Sequence, residues 1–300
     1  LALLLTVPAV AEKKYKIKPD SPEERALLEI QGETDAAKRV AMLDDFFQKF
    51  SSSEALPFTH RLYLAAYLDL QQWDKAIEAG EKAMDAGDND ELGVVVNLVR
   101  ACQAKGDFAR VGRWSAVAMT LQQKAVENPP KDLDEDDLKR RQESLKSYAD
   151  FLEYALFDAC SRDASPERLK YLDSFAQFFS QSERVKKLPA LYALAYGQVN
   201  DAARMMEYAQ KAIAAEPENE AMLLLLADTL TSQRTRLDEA QDLAQRLLKV
   251  MDTKVKPQGA ADADWEAERY EQARAGYASV RDALATFDTK GDAELKKAFK

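Results

Sequence analysis

A single stretch decides the fold of this chain: Tyr67-Leu-Asp-Leu-Gln-Gln-Trp73-Asp-Lys-Ala76. Its pattern returns 35 residues later as Cys102-Gln-Ala-Lys-Gly-Asp-Phe108-Ala-Arg-Val111. In both copies an aromatic residue follows a short turn, and a small residue comes three positions later. The same shift relates Tyr196 to Thr231, Met205 to Ala240, and Ala212 to Leu247. A fixed period of this size indicates a stack of similar helix pairs.

The composition favours helices and limits the classes of partner. The 300 residues are enough for a sizeable core, only 10 Gly and 10 Pro interrupt them, and no alternating apolar and polar stretch predicts a strand. The formal net charge is −10. Nucleic acids and anionic bilayers both require a basic protein face, so we expect neither as a partner.

The first residues predict export. Leu1–Ala11 is a short apolar run that ends in the triplet Ala9-Val10-Ala11, which is typical of a signal-peptide cleavage site. The run is too short to span a bilayer, which favours a signal-peptide remnant, cleaved after Ala11, over the tail of a membrane anchor. The chain begins without Met, and we expect further residues before Leu1. Residues 12–20 are charged and are interpreted as a linker, so the protein is predicted to be periplasmic or secreted, with no stable membrane insertion after cleavage.

Helices are predicted in pairs from residue 21 to residue 300. Caps and breakers such as Ser21-Pro22, Gly106-Asp107 and Pro129-Pro130 separate them. The fourth pair, over about 131–181, exceeds the period by about 24 residues, and the last pair is expected to continue beyond Lys300. The predicted helices are 22–33 and 36–50, 55–70 and 73–86, 91–105 and 107–126, 137–161 and a partner opening at Ser165-Pro166-Glu167, 185–198 and 200–215, 219–233 and 237–251, and 264–287 with a partner from 292.

These features resemble the tetratricopeptide repeat (TPR) family. The match is specific over 55–122 and 185–251 and weaker elsewhere. It implies an all-α, right-handed α-solenoid of antiparallel helix pairs, a TPR-like superhelix of about six to seven units. The resemblance is carried by Tyr67, Trp73, Ala76 and Ala83, by Gly106-Asp107-Phe108 and Ala118, by Tyr196, Ala209, Ala212 and Pro217, and by Leu237–Ala240.

The residues argue against an enzyme. His60 is the only histidine, so neither a His-rich zinc site nor a His-dependent triad can form within the chain, and we interpret it as a surface or packing residue. The acids of Asp132–Asp137, with Glu143, have calcium-loop spacing, but Asp137 stands where such a loop needs Gly. We interpret them as a solvated helix start. No catalytic residue, metal or cofactor is predicted.

The two cysteines leave two interpretations open. Cys102 and Cys160 are either small buried apolar residues or, in an exported chain, a disulfide. Neighbouring helices lie about 8–10 Å apart, whereas the Cα atoms of a disulfide need less than about 7 Å. This difference favours two buried thiols.

The resemblance also implies a binding surface. In TPR proteins the first helix of every pair lines the concave face, and in this chain its predicted exposed residues combine arginines with flanking acids. Such a face suits an extended peptide or helix of mixed charge, although a merely solvated face is the alternative. The predicted partner-binding residues are Arg61, Ala65, Asp69, Arg100, Gln103, Tyr154, Asp158, Arg162, Leu194, Gln198 and Asp228.

The sequence therefore predicts a non-catalytic interaction scaffold of the bacterial cell envelope that binds a protein or peptide in a concave groove. Two alternatives stay open. One is a small-ligand-binding protein or an enzyme that uses the enlarged fourth pair. The other is a structural solenoid that self-associates.

Overall fold

The computed structural model describes residues 17–86, 92–130 and 133–253, and within these ranges it contains twelve α-helices and no strand. The proposed signal-peptide remnant, most of the linker and the helices predicted after residue 264 lie outside the described residues. None of the described helices is both long and apolar enough to cross a membrane. The chain divides into two compact units, residues 1–180 and 181–300.

The first unit contains four helix pairs. Each helix packs against the next, and α3 also contacts α5, which in turn contacts α7, so that the first helices of three successive pairs form one layer. The helices are α1 Pro22–Gly32, α2 Ala36–Lys49, α3 Leu56–Asp69, α4 Trp73–Asp85, α5 Leu92–Lys105, α6 Phe108–Glu127, α7 Glu135–Arg162 and α8 Arg168–Phe178.

The second unit contains two helix pairs. A 3₁₀ turn at Glu183–Lys187 precedes them, and each helix again packs against the next along the chain. The helices are α9 Leu188–Gln198, α10 Ala202–Ala215, α11 Glu220–Ser232 and α12 Leu237–Thr253.

One turn recurs in both units and confirms the repeat. Four first helices end in a residue of left-handed conformation, followed by an N–H that donates to the carbonyl five residues earlier, which is the Schellman geometry. The left-handed residues are Gln71 (φ 55°), Gly106 (78°), Asn200 (59°) and Arg234 (54°). The hydrogen bonds run from Gln72 to Tyr67, from Asp107 to Cys102, from Asp201 to Tyr196, and from Thr235 to Leu230.

The small residues at the repeat positions are buried, as a TPR-like fold requires. Small side chains let the two helices of a pair approach closely, and the larger residues fill the space between pairs. Ala76, Ala83, Val111, Ala118, Ala212 and Ala240 are each at most 2% exposed. The prediction of an all-α TPR-like fold is therefore confirmed over the described residues.

Four predicted helix starts are wrong by two or three residues. Helix α10 begins at Ala202 rather than 200, because the Asp201 side chain accepts a hydrogen bond from the Arg204 N–H and caps the helix there. Helix α7 begins at Glu135 rather than 137, because the Asp134 side chain accepts a hydrogen bond from the Asp137 N–H and caps the helix there. Helix α8 begins at Arg168 rather than in the Ser165 turn, because the Ser165 hydroxyl donates to Asp163 at 2.6 Å instead of capping. Helix α9 begins at Leu188 rather than 185, since Pro189 occupies its first turn after the 3₁₀ segment.

The enlarged fourth pair, α7 with α8, is closed by a buried arginine. Arg168 is 4% exposed, and its Nε donates to the Cys160 carbonyl at 2.6 Å, near the carboxyl end of α7 where a cation is favoured. Cys102 and Cys160 are separate buried thiols, and burial raises the pKa of each to about 12. Both thiols are therefore protonated at neutral pH and lack the thiolate form that a nucleophile needs.

Candidate functional site

The predicted partner-binding residues divide between the two units. In the first unit, Arg61, Ala65 and Asp69 lie on α3, Arg100 and Gln103 on α5, and Tyr154, Asp158 and Arg162 on α7. Leu194 and Gln198 lie on α9 and Asp228 on α11, in the second unit. Two of the apolar members are well exposed, Tyr154 at 51% and Leu194 at 41%. That the set as a whole binds a partner stays a prediction.

The arginines of this first-unit face are held over aromatic rings. The Arg100 guanidinium carbon lies 5.2 Å from the centroid of the Phe151 ring, and that of Arg162 lies 5.3 Å from the Phe108 ring. Each arginine also has a polar neighbour on its own helix, because Arg100 donates to Asn97 at 3.0 Å and Arg162 donates to the Asp158 carboxylate at 2.7 Å.

Asp69, an acidic residue of the same face, lies close to an arginine of α2. The Asp69 carboxylate lies 4.0 Å from an Nη atom of Arg39, whose side chain also donates to the Glu33 carbonyl at the end of α1. Arg61 lies 3.7 Å above the Phe58 ring. These contacts restrain the charged groups of this face.

A groove lies on the opposite side of α3. Tyr63 and Tyr67 line it one turn apart, whereas Arg61 and Ala65 point the other way, because successive helical residues are rotated by about 100°. Side chains of α2 and α4 form the walls, and the groove has a volume of about 630 Å³.

Aromatic rings form much of the groove surface. Tyr63 and Tyr67 are stacked with centroids 5.7 Å apart and planes at 18°. The Phe47 ring, from α2, lies 5.9 Å from Tyr63 and 5.8 Å from His60. The groove therefore combines rings from two consecutive helix pairs.

Charged groups surround these rings. The Tyr63 hydroxyl donates to the Asp44 carboxylate at 2.6 Å, and burial together with this bond raises the pKa of the phenol. The Lys75 ammonium lies 5.4 Å from the centroid of the Tyr67 ring. Lys82 donates to Glu78 at 2.7 Å, which lowers the pKa of that carboxyl.

His60 contributes a neutral ring to the groove. Burial lowers the pKa of its imidazole, and the nearby positive charge of Lys82 lowers it further. Among the groove residues, all of which the structure describes, there is neither a serine nor a cysteine that such a base would activate. The chemistry available here is stacking and cation–π contact.

The second unit repeats this arrangement. A shift of 129 residues takes Tyr63 and Tyr67 to Tyr192 and Tyr196, Lys75 to Arg204, and the Glu78–Lys82 pair to Glu207–Lys211. We call the residues Tyr63, Tyr67, Lys75, Glu78 and Lys82 the first frame, and their counterparts Tyr192, Tyr196, Arg204, Glu207 and Lys211 the second frame.

The geometry of the second frame follows that of the first. The tyrosine centroids lie 6.2 Å apart with planes at 20°, and the Arg204 guanidinium carbon lies 5.3 Å from the Tyr196 ring. Lys211 donates to Glu207 at 2.7 Å. The two frames are therefore alike in contacts as well as in sequence.

The two frames differ most at the position that follows their glutamate. Ala79 lines the groove of the first frame, and the same shift places Tyr208 at its equivalent in the second. The Tyr208 ring lies 4.8 Å from Tyr192 and 5.3 Å from Tyr196, and the Lys211 ammonium lies 4.5 Å from its centroid. Tyr192 is accordingly only 8% exposed, whereas its equivalent Tyr63 is half-buried.

Comparison with known proteins finds similarity among solved structures alone. No protein-family model and no curated protein matches this sequence. Among solved structures, the chain is similar to the C-terminal part of a TPR repeat-containing protein from Cytophaga hutchinsonii, at 14% identity and a TM-score of 0.34, over 93% of this chain and 99% of that one. It is also similar to a tetratricopeptide repeat protein from Parabacteroides merdae, at 10% identity and a TM-score of 0.34, over 92% and 96%. Similarity to MamA from Desulfovibrio magneticus RS-1 covers 65% of this chain and 93% of that one, at 16% identity and a TM-score of 0.32.

Proposed function

We propose that this chain is a non-catalytic scaffold of the bacterial cell envelope that binds a protein or peptide partner along the face of its first helices. The observation that supports the proposal best is the placement of Arg100 and Arg162 over Phe151 and Phe108 on neighbouring helices. A guanidinium placed over a ring by a cation–π contact keeps N–H donors for a partner's carboxylate or carbonyl groups.

The layer of α3, α5 and α7 suits an elongated partner. Stacked helix pairs offer extended surfaces rather than closed cavities, and this layer carries arginines beside Asp69 and Asp158. A peptide or helix of mixed charge complements such a face. The Ala9-Val10-Ala11 triplet supports an envelope location, and N-terminal sequencing of the mature protein after expression with its leader tests the cleavage after Ala11.

Charge reversal tests the binding face. The double variant Arg61→Glu/Arg100→Glu is expected to lose the proteins that the wild-type chain captures from an envelope extract, measured by quantitative mass spectrometry. The matched control Lys49→Glu/Lys124→Glu makes the same change in net charge at exposed positions of α2 and α6. It is expected to capture them at wild-type levels. Equal capture by both variants, with unchanged thermal unfolding, contradicts the proposed face.

A further inference from the structure

In the second frame, the ring of Tyr208 packs against the tyrosine pair. We propose that the groove of the first frame binds an aromatic side chain of a protein partner, in the place that Tyr208 occupies in the second frame. The site lies on the opposite side of α3 from the face of the Proposed function. An experiment can therefore contradict this site without contradicting the proposed function, and the reverse also holds.

The equivalence of the two frames supports this placement. The tyrosine pair, the cation over the second tyrosine and the glutamate–lysine pair agree within about half an ångström in every shared distance. In the second frame, the two tyrosines and the lysine of this set contact the ring of Tyr208. In the first frame, Ala79 provides no ring, and the groove lies there instead.

The lining favours a ring over an aliphatic side chain. Tyr63 and Tyr67 offer ring faces for stacking, which contributes beyond the area that is buried. Lys82 is exposed and is the equivalent of Lys211, whose ammonium lies 4.5 Å from the Tyr208 centroid. A ring bound in the groove therefore gains a cation–π contact that a leucine cannot make.

The surroundings favour a peptide over a free small molecule. The groove extends past the frame to Phe47 and His60, so it is larger than one ring requires. Two carboxylates, Asp44 and Glu78, balance the ammonium groups of Lys75 and Lys82 at the rim. A balanced rim suits the uncharged amide groups that flank a side chain within a protein segment, and it offers no net charge to hold a charged metabolite.

Blocked tripeptides provide the test. The full chain, labelled with ¹³C at its alanine methyl groups, is titrated with N-acetyl-Gly-Tyr-Gly-amide and with the matching Gly-Leu-Gly peptide, while NMR follows the Ala79 methyl signal. The Ala79→Tyr variant identifies this signal by its absence. We expect the tyrosine peptide to shift the signal saturably and to bind about three- to tenfold more tightly than the leucine peptide.

Variants localise the site. Ala79→Tyr, in which binding is followed at the remaining alanine methyl signals of α4, is expected to abolish binding of the tyrosine peptide, because the new ring occupies the groove. The same substitution at the exposed Ala104 of α5 is expected to leave binding at the wild-type level. Lys82→Ala is expected to weaken binding about two- to fivefold by removing the cation–π contact. Lys49→Ala, at an exposed position of α2, is the control for that change and is expected to have no effect.

Four outcomes overturn the proposal. The first is equal affinity for the tyrosine and leucine peptides, which reduces the groove to a generic apolar crevice. The second is tighter binding of free tyrosine, titrated in the same way, than of the blocked peptide, which indicates a metabolite site. The third is undiminished binding by a folded Ala79→Tyr variant. The fourth is no shift of the Ala79 methyl signal at the highest soluble peptide concentration.

Discussion

The first and second frames are built from equivalent side chains in the same order, yet their first tyrosines differ in exposure, since Tyr63 is half-buried and borders a groove whereas Tyr192 is buried. In the first frame, the position after Glu78 is alanine, and Phe47 from α2 approaches Tyr63 from the neighbouring pair. In the second frame, the equivalent position is Tyr208, whose ring stacks on Tyr192. The difference teaches that one second-helix position can decide whether a repeat covers its own aromatic surface or leaves it accessible.

The largest expected effect on stability comes from removing the Tyr208 ring from the second frame. Tyr208→Ala removes a half-buried ring that contacts two tyrosines and a lysine, and we expect it to lower the free energy of unfolding of the second unit by about 2 kcal/mol. Hydrogen exchange of the α9 and α10 amides measures this loss separately from the first unit.

The reciprocal change is the control for that experiment. Ala79→Tyr places a ring in a groove of about 630 Å³. We therefore expect the free energy of unfolding, measured by hydrogen exchange of the α3 and α4 amides, to change by less than about 1 kcal/mol. A large loss of stability in Ala79→Tyr, comparable with that of Tyr208→Ala, is incompatible with an open groove in the first frame.

A smaller effect is expected from the bond that anchors the first frame to α2. Tyr63→Phe removes the hydrogen bond to Asp44, and we expect a loss of about 1 kcal/mol in the free energy of unfolding. Urea denaturation of Tyr63→Phe, Asp44→Ala and the double variant gives the coupling between the two groups. Strictly additive losses are the result that rules out this bond.

The smallest effect compares the turns that close α3 and α9. Gln71 and Asn200 both have left-handed backbones, but asparagine adopts this conformation more readily than glutamine. Gln71→Gly is therefore expected to raise the free energy of unfolding by about 0.5–1 kcal/mol, and Asn200→Gly by less. Hydrogen exchange of the amides next to each turn measures both gains in stability. A larger gain for Asn200→Gly than for Gln71→Gly contradicts the equivalence of the two turns.

The fold could be predicted from the sequence because local and repeated signals agree. The 35-residue period, the Gly106-Asp107 turn and the buried alanines all indicate the same helix pairs, and most helix ends lie within one or two residues of the prediction. The starts of α8 and α9 were wrong for local reasons. The Ser165 hydroxyl bonds to Asp163 instead of capping, and Pro189 selects a later start for α9 than the periodicity does.

The groove could not be predicted in the same way, although its residues are visible in the sequence. We interpret Tyr67 through its repeat position and His60 as a surface or packing residue, and both interpretations treat each helix pair in isolation. The two frames are 129 residues apart, which is not a multiple of the 35-residue period, and Phe47 comes from the preceding pair. The available signal was the shared spacing of Tyr-x-x-x-Tyr followed by a cation, a glutamate and a lysine.

The exchange variant Ala79→Tyr/Tyr208→Ala tests the central claim most directly, because it moves the ring that covers the tyrosine pair from the second frame to the first. NMR titration with N-acetyl-Gly-Tyr-Gly-amide measures where the peptide binds. If the frames themselves recognise an aromatic ring, peptide-induced shifts move from α3 and α4 to α9 and α10. A folded exchange variant that still binds the peptide at α3 and α4, or that binds it at neither frame, contradicts the account.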